Sequence, residues 1–219
     1  MQQPILAYWN NRGFAEPLRM LLAHFGVAFE DKQYIPGPAP DFDRSDWLRV
    51  KETLGMDFPN LPYFIDENVK LSETSAIFEY ICAKYNPSYL GNTLTEKAYV
   101  SMIAGVLKDI MGKVGMAAYN QNAATLVPQA LESQKLVMER FVKYLAGKRL
   151  LVGDHPTYVD FYFYEVLDKL DAIDPSYTAG ISPVFSPYKA YIRSLTNIEE
   201  FVSRPNRPPF HGPMAGWRI

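Results

Sequence analysis

The sequence predicts an N-terminal α/β unit of order βαβ, α, ββα, followed by an all-α domain. Three observations carry this. An unbroken apolar run from Ile5 to Trp9 leads into an amphipathic stripe; two short apolar segments flank the polar turn Asp66-Glu67-Asn68; and the long segments beyond Thr93 repeat their apolar residues at helical spacing.

Taken in order, Ile5 to Trp9 has no polar interruption, the mark of a strand covered on both faces. Phe14, Leu18, Leu21, Leu22 and Phe25 then fall on one side of a helix, with Pro17 tolerable near its start and Gly26 a plausible stop. Val27 to Ile35 alternates well enough for a second strand. The following PGPAPDFDRSDW, with its three prolines, is irregular. A short helix is expected around Leu48 to Leu54, then a hairpin of Tyr63–Ile65 and Val69–Leu71. After it, Ala76, Ile77, Tyr80 and Ile81 repeat as a helix that Ser72 or Thr74 can cap. NPSYLGNT has the composition of a linker, and helices follow: one to Tyr119, one through Tyr144, one from Tyr158. The expected division is 1–84, 85–92 and 93–219. Thr157 to Asp160 has capping-box spacing, and from Pro205 the chain reads as an irregular tail.

Composition narrows the function. The 22 basic residues nearly balance 24 acidic ones, so no global field recruits nucleic acid or an anionic membrane surface, and a charged ligand must be held locally. No run approaches the roughly 20 apolar residues of a membrane span, and the first residues do not read as a signal peptide, so a cytoplasmic protein is expected. Cys82 is the only cysteine, which excludes an internal disulfide and a CxxC redox pair. His24, His155 and His211 are scattered, and no metal is expected.

Five ordered segments, PILAYWNNRG, APDFDRSDWL, DFPNLPY, GMAAYN and VDFYFYEVLD, together resemble the mu class of glutathione transferases over almost the whole chain. The resemblance implies a thioredoxin-like N-terminal domain that binds glutathione and an all-helical domain that supplies the electrophile site. It implies an enzyme that uses glutathione as co-substrate, needs no other cofactor and acts as a homodimer. Tyr8 matches the catalytic tyrosine, and Trp9 and Phe14 lie where both substrates meet. Asn60, Leu61 and Pro62 match the segment that pairs with the cysteinyl part of glutathione, with a cis proline. Glu73 and Thr74 match the γ-glutamyl end, where the class usually carries Gln and Ser. Arg44, Trp47 and Lys51 match the glycyl carboxylate site, and Asp109 the acid that reaches glutathione in the other subunit. Met116 and Tyr119 face Trp9 and Phe14 across the electrophile site, and Phe58 is the implied dimer anchor. Glu79 stands where the class often has Arg.

The chemistry asks for these residues. The thiol of glutathione has a free pKa of ~8.5, and making its thiolate predominant at neutral pH takes roughly two units, about 2.7 kcal/mol. One charge-assisted hydrogen bond from a phenol is of that size. A ligandin-like store of apolar compounds is the alternative expectation; it has no use for a phenol at the strand end. Thiol–disulfide exchange lacks its cysteine at the helix start.

Overall fold

A computed structural model describes residues 3–218. Strand β1 (Ile5–Trp9) lies inside a four-stranded sheet of order β2-β1-β3-β4. It runs parallel to β2 (Glu30–Tyr34) and antiparallel to β3 (Tyr63–Ile65), which forms a hairpin with β4 (Lys70–Ser72). Leu6 and Ala7 are fully buried, which is why β1 shows no polar alternation. Helix α1 (Glu16–His24) carries Pro17 in its first turn and stops before Gly26, whose φ of +65° is a left-handed conformation that glycine adopts without strain.

The sequence reading shifts in three places. β2 spans only Glu30–Tyr34, because Val27 and Phe29 pack on the core instead of pairing. The short helix is α2 (Ser45–Lys51), earlier than expected: its anchor is the buried Trp47, whereas Leu48 faces solvent. Neither Ser72 nor Thr74 caps α3 (Thr74–Tyr85) through its side chain. Glu73 takes the cap position at φ +68°, and the Ser72 hydroxyl donates to the Phe58 carbonyl at 2.5 Å.

The second domain comprises α4 (Leu94–Ala118), α5 (Ala123–Leu145), α6 (Tyr158–Ile173) and the shorter α7 (Tyr177–Ile181), α8 (Phe185–Arg193) and α9 (Ile198–Val202). Every residue of α6 from Tyr158 to Leu167 is buried, so it has no polar face and forms the axis of the core. The core runs unbroken from Leu6, Leu18 and Phe78 into α4 and α6, with the Phe78 and Tyr158 rings stacked at 4.7 Å.

A buried ion network joins the ends of the chain. Arg12, in the turn after β1, donates to Glu165 of α6 at 2.9 Å and to Asp168 at 2.6 Å. Arg207, from the tail, contacts the same two carboxylates at 3.3 Å each and Glu16 of α1 at 2.8 Å. Arg204 and Arg19 also reach Glu16, Arg19 continues to Asp31 on β2, and Lys189 of α8 joins Asp168 and Asp171.

At the start of α6 the fully buried Asp160 carboxylate accepts from the Thr157 N–H at 2.8 Å, the Thr157 hydroxyl at 2.9 Å, the Leu151 N–H at 3.0 Å and the Tyr188 hydroxyl at 2.7 Å. Asp160→Ala leaves four donors without an acceptor, a loss of about 3 kcal/mol or more. The expected result is a Tm lower by roughly 6 °C or more in calorimetry. An unchanged Tm would show that the box contributes nothing to the fold.

Candidate functional site

Strand register assembles the site. Ala7 pairs with Tyr63, so the antiparallel register carries Pro62 alongside Tyr8 and Leu61 alongside Trp9. Tyr63 also pairs with Ser72, which brings Glu73 and Thr74 to the same end of the sheet. Tyr8, the Leu61–Pro62 segment and the start of α3 therefore form one row. The Leu61–Pro62 bond is cis. Trp47 stacks on Tyr63 with ring centroids 6.0 Å apart, holding α2, and with it Arg44 and Lys51, against this row.

The row presents donors. The first turn of α3 has no side-chain cap, so its free amides and dipole favour a carboxylate. Glu73, held at positive φ, puts an acid next to them, and Lys108 of α4 partners it at 3.5 Å. Asn60 accepts the Leu61 N–H at 2.9 Å. Arg44 is exposed and Lys51 half-buried beside it.

Burial pushes the Tyr8 hydroxyl up to about 12, with the Phe14 amide pulling weakly the other way. A phenol so far from titrating near neutrality keeps its proton and donates it. Gly13 sets its position: at φ +38°, a Cβ there would lie 2.5 Å from Tyr8 Cε1 and 2.8 Å from its hydroxyl oxygen.

Tyr119, just past the end of α4, has its hydroxyl fixed by the tail. It accepts the Gly212 N–H at 2.7 Å and the Asn11 side-chain amide at 3.4 Å, which leaves its own proton to donate. The His211 ring meets the Tyr119 ring edge-on at 5.8 Å. A cavity of about 450 Å³ opens beside it, lined by Asn10, the loop residues Ile35 and Pro36, and tail residues including Pro209 and His211. Met116 is exposed, Trp9 packs edge-on to Tyr34 at 6.4 Å, and Phe14 lies against the main core.

Asp109 is exposed on α4, and Phe58 is 82% exposed on the loop before β3. Between α4 and α5 lies an apolar cavity of about 180 Å³ lined by Met102, Ile103, Val106, Val137, Phe141 and Tyr144, with Arg140 at its side. Among the described residues, no group of three or more His, Cys, Asp and Glu is placed to hold a metal ion. The sequence reading missed the fixing of Tyr119 by Asn11 and Gly212, and Tyr162, whose buried hydroxyl has no partner among the described residues and lies near Tyr8. Neither carries a local signal, since Asn11 and Tyr119 are 108 residues apart.

Gly13→Ala must displace the Tyr8 ring and strain the turn, at a cost of about 2 kcal/mol or more. The Tm should fall by roughly 4 °C or more, with a changed near-ultraviolet tyrosine spectrum. A variant with both unchanged would show that the turn gives way without moving the phenol.

The chain matches the family models described as the glutathione S-transferase N-terminal domain, over residues 4–83, and C-terminal domain, over residues 99–191. A glutathione S-transferase of Dermatophagoides pteronyssinus is 36% identical over 220 residues, covering 99% of this chain and 98% of that protein. One from Tyrophagus putrescentiae is 39% identical over 215 residues, covering 98% and 96%. Glutathione S-transferase Mu 1 of Macaca fascicularis is 35% identical over 214 residues, covering 97% of each chain. The crystal structure of the glutathione S-transferase Blo t 8 superposes with a TM-score of 0.83 at 30% identity, covering 98% of this chain and all of that one. With its thioredoxin-like sheet domain and its helical second domain, the chain belongs to the glutathione S-transferase family, with Mu-class enzymes among its full-length relatives.

Proposed function

We propose that the protein is a glutathione transferase that joins the glutathione sulfur to hydrophobic electrophiles, as in detoxification. The observation that carries this is the row of Tyr8, cis Leu61–Pro62 and the uncapped start of α3, which lines up a phenol donor, a backbone segment and a helix start that favours a carboxylate, the groups a γ-glutamyl tripeptide thiol calls for. In this reading Tyr8 donates to the thiolate and Leu61 pairs its backbone with the cysteinyl part, flanked by Asn60 and Pro62. Thr74 and the α3 amides take the γ-glutamyl carboxylate and Glu73 its ammonium. Arg44, Trp47 and Lys51 hold the glycyl carboxylate. The electrophile lies over Trp9 and Phe14, toward Met116 and Tyr119. Sulfur attacks the electrophilic carbon while Tyr119 donates to the oxyanion of an addition or epoxide opening.

Residues 1–84 form the glutathione domain in this reading, 85–92 the linker and 93–219 the helical domain; residues 1, 2 and 219 lie outside the described residues. The lone buried Cys82 fits a reducing cytoplasm. The protein works as a homodimer. The exposed Phe58 ring enters the apolar cavity between α4 and α5 of a second copy, and Asp109 reaches the γ-glutamyl ammonium bound there.

Purified protein should turn over 1-chloro-2,4-dinitrobenzene with glutathione, and absence of turnover would overturn the reading. In kcat/KM against pH, the wild-type rate should rise as the bound thiol ionises and level off below the free value of ~8.5. Tyr8 itself, at about 12, does not titrate in this range. Tyr8→Phe removes the donor, so the curve should move to higher pH and the rate at neutral pH should fall roughly 10- to 1,000-fold. An unshifted curve would mean that another group activates the sulfur. Phe58→Ser should convert a dimer at micromolar concentration into monomer in sedimentation; a variant that stays dimeric removes Phe58 from the interface.

A further inference from the structure

The buried ion network is balanced without Lys169. Its five carboxylates, Glu16, Asp31, Glu165, Asp168 and Asp171, are met by four arginines and Lys189. Lys169, the residue after Asp168 on α6, is only 4% exposed, and among the described residues no carboxylate lies within 4.0 Å of its ammonium. Glu165 attracts it but is already held by Arg12 and Arg207. An ammonium left so is costly to bury, which marks a place where a negative group is wanted.

Its position says which group. The ammonium lies 4.0 Å from where a Cβ at Gly115 would stand, one helical turn before Tyr119 on α4, so the glycine leaves it room. It faces His211 of the tail, whose ring is depressed first by burial and then by the charge of Lys169. His211 Nδ1 is engaged by the Trp217 carbonyl at 3.0 Å, but Nε2 is buried without a partner among the described residues. His211 in turn borders the 450 Å³ cavity. The Lys169 ammonium, with no carboxylate against it, and the His211 Nε2 therefore both lie toward Tyr119, where the electrophile is placed in the reading above. Burial draws the ammonium down to about 8, so it stays largely protonated at neutral pH.

We propose that Lys169, backed by His211, forms a cationic end of the acceptor pocket and selects electrophiles that carry a carboxylate or another anionic oxygen. The proposal rests on the transferase reading. A neutral wall would accept any apolar acceptor; this one rewards acceptors with an apolar reacting end and an anionic far end.

The test uses the intact protein with glutathione and two matched acceptors, 4-chloro-3,5-dinitrobenzoate and its methyl ester. In both, sulfur bonds to the ring carbon bearing chlorine, chloride departs with the bonding pair, and the thiol proton passes to solvent. The readout is the ratio of kcat/KM, carboxylate over ester. Lys169→Met and Lys169→Gln should each lower that ratio roughly ten-fold or more, the scale of a charged hydrogen bond, while Lys169→Arg retains it. Binding of the two preformed S-aryl conjugates, measured by calorimetry, should show the same fall. Tm measured alongside checks folding, and two neutral variants guard against failure of one. A ratio unchanged in both overturns the proposal. Wild-type protein that turns over neither acceptor overturns the transferase reading instead, and the conjugate-binding ratio still decides for Lys169.

Discussion

The buried pairing of Arg12 with Glu165 and Asp168 is the contact on which the rest depends. It ties the turn after β1 to the central helix α6, and Arg207 ties the tail to the same carboxylates. Desolvating so many charges costs several kcal/mol per ion, so such a network is poor evidence for stability by itself. Its effect is geometric. With Arg12 held, the Asn11-Arg12-Gly13 turn has one path, and that path presses Gly13 against the Tyr8 ring. Burial pushes the Glu165 carboxyl up to about 7, yet two guanidiniums hold it, and losing either would leave a buried charge unmatched.

The two hydroxyls of the site are tuned differently. Tyr8 is almost fully buried and its hydroxyl is raised chiefly by that burial. Tyr119 is more open; burial raises it too, but the Gly212 amide pulls it back. The first suits a donor that keeps its proton. The second, whose oxygen already accepts twice, is oriented to donate toward whatever lies above it.

Much of this was legible from local pattern. β1, α1, the hairpin and the long helices show in periodicity, and five motifs pointed to the family and to Tyr8. What stayed hidden depends on distance along the chain or on a trade between competing partners. Arg12 and Glu165 are 153 residues apart, and no spacing rule links them. α7, α8 and α9 are too short for a period to stand out. The cap of α3 fell to Glu73 at positive φ because Ser72 is spent on the Phe58 loop. Nothing in the sequence sets Lys169 apart, since only the fold reveals that its neighbouring carboxylates are already taken.

The tail bears on the order in which the protein comes into being. Arg204 and Arg207 come 188 and 191 residues after Glu16, yet they pair with it, and Gly212 fixes the hydroxyl of Tyr119. A ribosome therefore delivers the sheet that carries Tyr8 long before the stretch that holds Tyr119. Until that stretch is made, Glu16 and Glu165 lack two of their counter-charges. The hydroxyl of Tyr119 is fixed only once residues 204–212 have folded back, so a chain cut short before them lacks that contact.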